Sequence, residues 1–105
     1  MINAKEELLK VISNTAKIKC ASIILGADYD DEEDKQRFVL KINYSEADYQ
    51  SFLRKLNFNY DNGYGGQRLF GAVWLEDNTW LSRGEYDGSE WWDHNVLPVI
   101  PPECM

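Results

Sequence analysis

Apolar positions along this chain follow two periods, one helical and one alternating. Between residues 3 and 15, Leu8, Leu9, Val11 and Ile12, with Ala16 just beyond, lie along one side of a helix, and Lys5, Glu6 and Lys10 lie on the other. Asn3 is placed to cap that helix, with Glu6 three positions on as its capping-box partner. The spacing predicts a helix over 3–15 that ends near Asn14. A second helix starts at Ser45, with Asp48 three residues later. Its stripe is Tyr49, Phe52, Leu53 and Leu56, and Arg54 and Lys55 occupy the last turn, where cations suit the helix dipole.

Alternation of period two marks strands. Over 17–27, Ile18, Cys20, Ser22 and Ile24 are expected on one face and Ala21, Ile23 and Leu25 on the other, with Gly26 ending the strand. Over 36–44, Phe38, Leu40, Ile42 and Tyr44 oppose Arg37, Val39, Lys41 and Asn43. These two strands predict a hairpin with the intervening acids at its tip. Residues 57–66 read as a loop, because Gly63, Gly65 and Gly66 free the backbone there. Strand 67–75 is apolar on both faces, with Leu69, Val73 and Leu75 against Phe70, Ala72 and Trp74, which predicts a central strand and leaves room for a dimer through the sheet. Asp77-Asn78 is a tight turn, and residues 79–86 return. Asp87-Gly88 signals a type I′ hairpin before a short last strand, 89–92. Pro98, Pro101 and Pro102 keep the tail extended. The element order implies one α+β domain over 1–105: two layers, an antiparallel sheet of four to five strands with two helices on one face.

Charge sharpens this picture. The net charge is −7, and six acids fall between residues 28 and 34: Asp28, Asp30, Asp31, Glu32, Glu33 and Asp34. Six more, Glu76, Asp77, Glu85, Asp87, Glu90 and Asp93, accompany the single base Arg83 between 76 and 93. The four tryptophans, Trp74, Trp80, Trp91 and Trp92, share that part of the chain. Such patches repel nucleic acid and anionic membrane and steer basic partners. No basic region followed by an apolar run opens the chain, and no stretch reaches the ~20 apolar residues of a membrane helix. Cys20 and Cys104 are too few for a disulfide framework, so a cytoplasmic location with reduced thiols is expected.

Catalytic motifs fail on spacing. Counted from Asp28, an EF-hand would need glycine at Glu33 and glutamate at Val39. The glycine-rich loop at 63–66 lacks the Gly-Lys-Ser/Thr ending of a phosphate loop. His94 is the only histidine, which leaves no zinc spacing, and its neighbour Asp93 points to the opposite strand face. No serine sits in a Gly-x-Ser-x-Gly turn. No cofactor or metal and no catalytic residue is therefore expected. Trp91 and Trp92 point to opposite faces of one strand, so one is expected to enter the core; the other, beside Glu90 and Asp93, either suits a partner with arginine or lysine or is covered by the proline-rich tail.

The run Arg83-Gly-Glu-Tyr-Asp-Gly-Ser-Glu-Trp-Trp, followed by Pro98 and Ile100-Pro101, resembles the last forty or so residues of small proteins encoded by phages, prophages and other mobile elements of Gram-negative bacteria. The resemblance carries no settled activity and no functional residues. It implies action on a host protein. The expected function is a non-catalytic acidic binding module, a monomer or homodimer, that inhibits a host nucleic-acid-handling or defence protein, as an anti-CRISPR or anti-restriction protein does. The alternative is an immunity or antitoxin-like protein neutralising a cognate toxin. In either case a basic protein surface is the partner, with no direct nucleic acid and no membrane. The acids Asp28, Asp30, Asp31, Glu32, Glu33 and Asp34 form one expected contact segment. Tyr60 and Tyr64 in the glycine loop, and Glu85, Asp87, Glu90, Trp91 and Asp93 in the meander, complete the expected surface. A small enzyme or sugar-binding domain would instead need a deep pocket at Trp80, Trp91 or His94.

Overall fold

The computed structural model describes residues 1–26, 31–63 and 66–104, and among these it forms two capped α-helices and seven strands. A two-residue strand β1 (Ile2–Asn3) leads into α1 (Ala4–Ile12), and Asn3 Oδ1 accepts the Glu6 N–H at 3.0 Å, as its capping position predicts. α1 stops at Ile12, short of the expected end near Asn14, where the Ser13 hydroxyl donates to the Lys10 carbonyl at 2.7 Å. Strands β2 (Ile18–Leu25) and β3 (Gln36–Leu40) form the expected hairpin. β3 ends before the predicted Tyr44: Asn43 turns the chain at φ 66°, Ile42 is exposed, and the Tyr44 hydroxyl donates to the Ile18 carbonyl. In α2 (Glu46–Lys55) Ser45 and Asp48 exchange both capping-box bonds at 3.1 Å.

The stretch expected to be a plain loop contains β4 (Asn59–Tyr60), which pairs antiparallel with β1. The Ala4 N–H donates to the Phe58 carbonyl at 2.9 Å, so α1 is tied to the chain just after α2.

The main sheet is antiparallel, with order β3-β2-β5-β6-β7, where β5 is Leu69–Leu75, β6 is Trp80–Tyr86 and β7 is Ser89–Asn95. β5 is central, as its two apolar faces require. Asp87 and Gly88 both have positive φ, 51° and 87°, and close the β6–β7 hairpin. The last strand runs on to Asn95, past the expected end at Trp92, because it pairs with β6 along its whole length.

One face of the sheet holds the core. Ala21, Ile23, Phe38, Leu69, Val73 and Leu81 are buried there with Ala4 and Leu8 of α1 and Phe52 and Leu53 of α2, in one cluster. Both helices thus contribute to the same apolar layer. Ile18 belongs to this face, contrary to the simple alternation that groups it with Cys20, Ser22 and Ile24. The register slips between Ile18, which pairs with Leu75, and Cys20, which pairs with Trp74. The extra residue, Lys19, is exposed, and the bulge moves Ile18 inward. Among the described residues no helix is long and apolar enough to cross a membrane.

Candidate functional site

Strand direction brings the acidic segments together. β2 ends, β5 begins, and the β6–β7 turn closes at the same end of the sheet: Leu25 pairs with Leu69, and Tyr86 pairs with Ser89. That end carries exposed Asp31, Glu33 and Asp34 after β2, exposed Asp61 before β5, and exposed Glu85 and Asp87 at the β6–β7 turn. Four strand spacings separate β3 from β7, so these groups span about 19 Å. Asp28, Asp30 and Tyr64, and the Glu32 side chain, lie outside the described residues.

Trp91 is the exposed member of the tryptophan pair, and Trp92 is buried. Gly84 lies opposite Trp91 in the β6–β7 register. A Cβ on Gly84 would come within 2.5 Å of the Trp91 Nε1, so the indole rests on bare backbone. Its Nε1 donates to Asp93 Oδ1 at 2.8 Å. The indole is therefore held flat across β6 with its other side open, 38 % exposed. Asp93 is committed to this contact and does not orient His94, whose ring instead meets Thr79 Oγ1 at 2.9 Å.

Two residues expected to face a partner are buried. Tyr60 is 5 % exposed and Glu90 2 %. Pairing of β4 with β1 turns Tyr60 inward, and Glu90 shares the inner face with Trp92. Both belong to an ion cluster that the linear pattern of charges does not announce. Arg83 Nη2 lies 2.8 Å from Glu90 Oε1, and Nη1 lies 3.3 Å from Glu7 Oε1. The Tyr60 hydroxyl donates to Glu7 Oε1 at 2.5 Å and accepts from Arg83 Nη2 at 2.8 Å. The guanidinium stacks at 4.7 Å from the Trp92 ring centre. Glu90 also accepts the backbone N–H of Arg68 at 2.7 Å and of Leu69 at 2.9 Å, and its own N–H donates to the Asn62 carbonyl. It pins the segment leading into β5 to the last hairpin. Burial pushes the Tyr60 hydroxyl well above its ordinary pKa, and its hydrogen bond to Glu7 adds to the shift. The signal for this cluster lay in the alternation: Arg83 follows Leu81 by two residues, and Glu90 precedes Trp92 by two.

Among the described residues, no helix covers the outer face of the sheet. Its pairings align a row of small side chains, Ser22, Ala72 and Ser82, running from Val39 on β3 to Asp93 on β7. On one side of that row stand Trp74 and Trp80, which pair directly. On the other stand Phe70 and Trp91. A shallow concavity at the edge of this face is lined by Lys19, Cys20, Ile42 and Trp74, and two others lie elsewhere. One, of about 280 Å³, runs between β3 and α2 and is lined by Arg37, Leu40, Asp48, Phe52 and Lys55. The other is lined by Lys17, Ile42, Tyr44 and Glu76. Neither contains Trp80, Trp91 or His94. Among the described residues no group of three metal-ligating side chains is present.

No protein-family model matches the chain, and comparison with curated proteins and with solved structures gives no match.

Proposed function

We propose that this protein is a non-catalytic binding module that engages a basic protein surface through the acidic end of its sheet, with Trp91 as the anchor. The observation that carries the reading is the combination found there. Acids from three separate connections converge on one sheet end, and beside them an exposed indole is immobilised on Gly84 by Asp93. An aromatic group already held in place loses little conformational entropy on binding, and the surrounding carboxylates orient and accelerate encounter with arginine and lysine. A carboxylate array about 19 Å across presents closely spaced negative charge as a phosphate backbone does. The concrete form proposed is therefore inhibition of a nucleic-acid-handling or defence protein.

The test uses tagged wild type, Trp91→Ala, and the triple reversal Asp31→Lys, Glu33→Lys, Asp34→Lys, exposed to host lysate and then to the purified partner. A basic nucleic-acid-binding protein should be retained by wild type, with an affinity that falls as salt rises. Both variants should lose at least about tenfold while keeping the wild-type circular dichroism. Unchanged affinity in both variants would remove the acidic end from the interface. Capture of a toxin rather than a nucleic-acid-handling protein would keep the site and reassign the partner.

A further inference from the structure

The outer face presents a shaped surface. Along β5, Phe70, Ala72 and Trp74 are successive outward residues, so the two aromatic walls stand about 13 Å apart with Ala72 midway. Val39, Ser22, Ala72, Ser82 and Asp93, paired in that order, make the floor of a trough that crosses all five strands of the main sheet, a length of about 19 Å. Trp74 is 44 % exposed and Trp91 38 %. With Val39 and the half-buried Phe70 and Trp80, the apolar surface left open is about 400 Å², within the range that on a monomer is often functional.

The chain also carries an apolar segment left open. After β7, Val96, Leu97, Val99 and Ile100 are exposed by 59 to 92 %. Pro98 and Pro101 hold residues 96–101 extended, whereas the tail expected to be extended throughout closes into a 3₁₀ turn at Pro102–Cys104, where the Cys104 N–H donates to the Pro101 carbonyl. Residues 96–101 in polyproline II form span about 19 Å, the length of the trough. Aromatic-walled grooves are the surfaces on which such segments dock, since the bound conformation is already populated and the proline rings stack on the walls. The root of the segment is fixed at the trough, because Asn95 Nδ2 donates to Ser82 Oγ at 2.9 Å and to the Trp80 carbonyl at 3.3 Å.

We propose that the trough receives the 96–101 segment of a second copy of this chain, in a two-fold exchange. The segment does not lie in the trough of its own chain, where its four apolar side chains remain open. Each segment and each face offer about 400 Å², so mutual coverage buries on the order of 1,600 Å², the size of a standard specific interface. A single contact buries half of that, and this is why exchange rather than one-sided docking is favoured. The acidic end lies beyond the wall formed by Phe70 and Trp91; the pairing shares Trp91 with the proposed partner site, and its test alters neither Trp91 nor the acidic end, so the two readings fail separately.

The experiment is sedimentation equilibrium of the full chain from about 1 to about 500 μM, with tryptophan fluorescence read alongside. Wild type should pass from monomer to dimer with a blue shift on association. The double variant Val99→Asp, Ile100→Asp, which changes only exposed positions, should dissociate at least about tenfold more readily. Ala72→Arg, which fills the trough, should do the same. Mixing the two variants should recover only part of the association, because the mixed pair keeps one intact segment-in-trough contact of the two. A wild type that stays monomeric throughout would overturn the proposal, and so would a dimer untouched by the Val99/Ile100 variant. A blue-shifted monomer at every concentration would overturn it in favour of docking within one chain. If Ala72→Arg fails to fold, the Val99/Ile100 variant alone decides.

Discussion

Replacing Glu90 with alanine is the sharpest probe of how the fold is held. The carboxylate has no exposed surface and accepts bonds from Arg83 Nη2, the Arg68 N–H and the Leu69 N–H, at 2.7 to 2.9 Å. Its removal leaves Arg83, itself 2 % exposed, with Glu7 at 3.3 Å as its remaining counter-ion among the described residues, and leaves the buried Leu69 N–H unpaired. Breaking a buried pair in this way costs about 3–5 kcal/mol, and an unsatisfied buried donor about 1–3 kcal/mol. The two overlap, so the expected loss is about 4 kcal/mol against a total of roughly 5–15 kcal/mol for a domain of this kind. In urea, with a slope near about 2 kcal/mol/M, the midpoint should fall by about 2 M at unchanged slope. Arg83→Met removes the charge that Glu90 neutralises. The double variant should therefore cost at least about 1.5 kcal/mol less than the two single losses together. A loss below about 1 kcal/mol for Glu90→Ala, or strict additivity with Arg83→Met, would refute the reasoning that these charges depend on each other.

Three other substitutions probe separate parts of the molecule. Tyr60 has its pKa raised above the ordinary 10.0, so its stabilising effect is complete below pH 10 and is lost as pH rises from there through the folded value. Alkaline denaturation followed from about pH 8 to 12 should show a shallower fall in Tyr60→Phe than in wild type, and equal slopes would contradict the shift. At Gly71, φ is 120° and a Cβ would collide with the Ser22 carbonyl oxygen, so Gly71→Ala should cost about 2–4 kcal/mol in thermal or urea unfolding. A cost below about 0.5 kcal/mol would show that the strands do not approach so closely there. Gly84→Val should lift the Trp91 indole from its bed, giving a red-shifted tryptophan emission and a weakened partner complex. An unshifted spectrum would show that the indole does not rest there.

Much of the architecture could be read locally. The caps at Asn3 and Ser45, the stripe of Phe52, Leu53 and Leu56, the Asp87-Gly88 turn and the two apolar faces of β5 are features of neighbouring residues. Each element was set by backbone hydrogen bonding and side-chain period within a dozen positions. The candidate site was only half legible. Trp91 and Trp92 had to diverge, but alternation alone does not say which enters the core. Arg83 and Glu90 read as surface charge by type and were inward by position.

Residue order alone was thus enough for the helices, the hairpins, the centrality of β5 and the two acidic segments, because these follow from contacts close along the chain. Closure of the fold settled the rest. It placed the bulge at Lys19 that turns Ile18 inward, paired β4 with the distant β1, and buried Glu7, Tyr60, Arg83 and Glu90 together. It also set strand order, which gathers the acidic connections at one end and lines up the small row between the aromatic walls. These are choices among non-local pairings, and their energies reside in contacts that exist only after the chain has closed on itself.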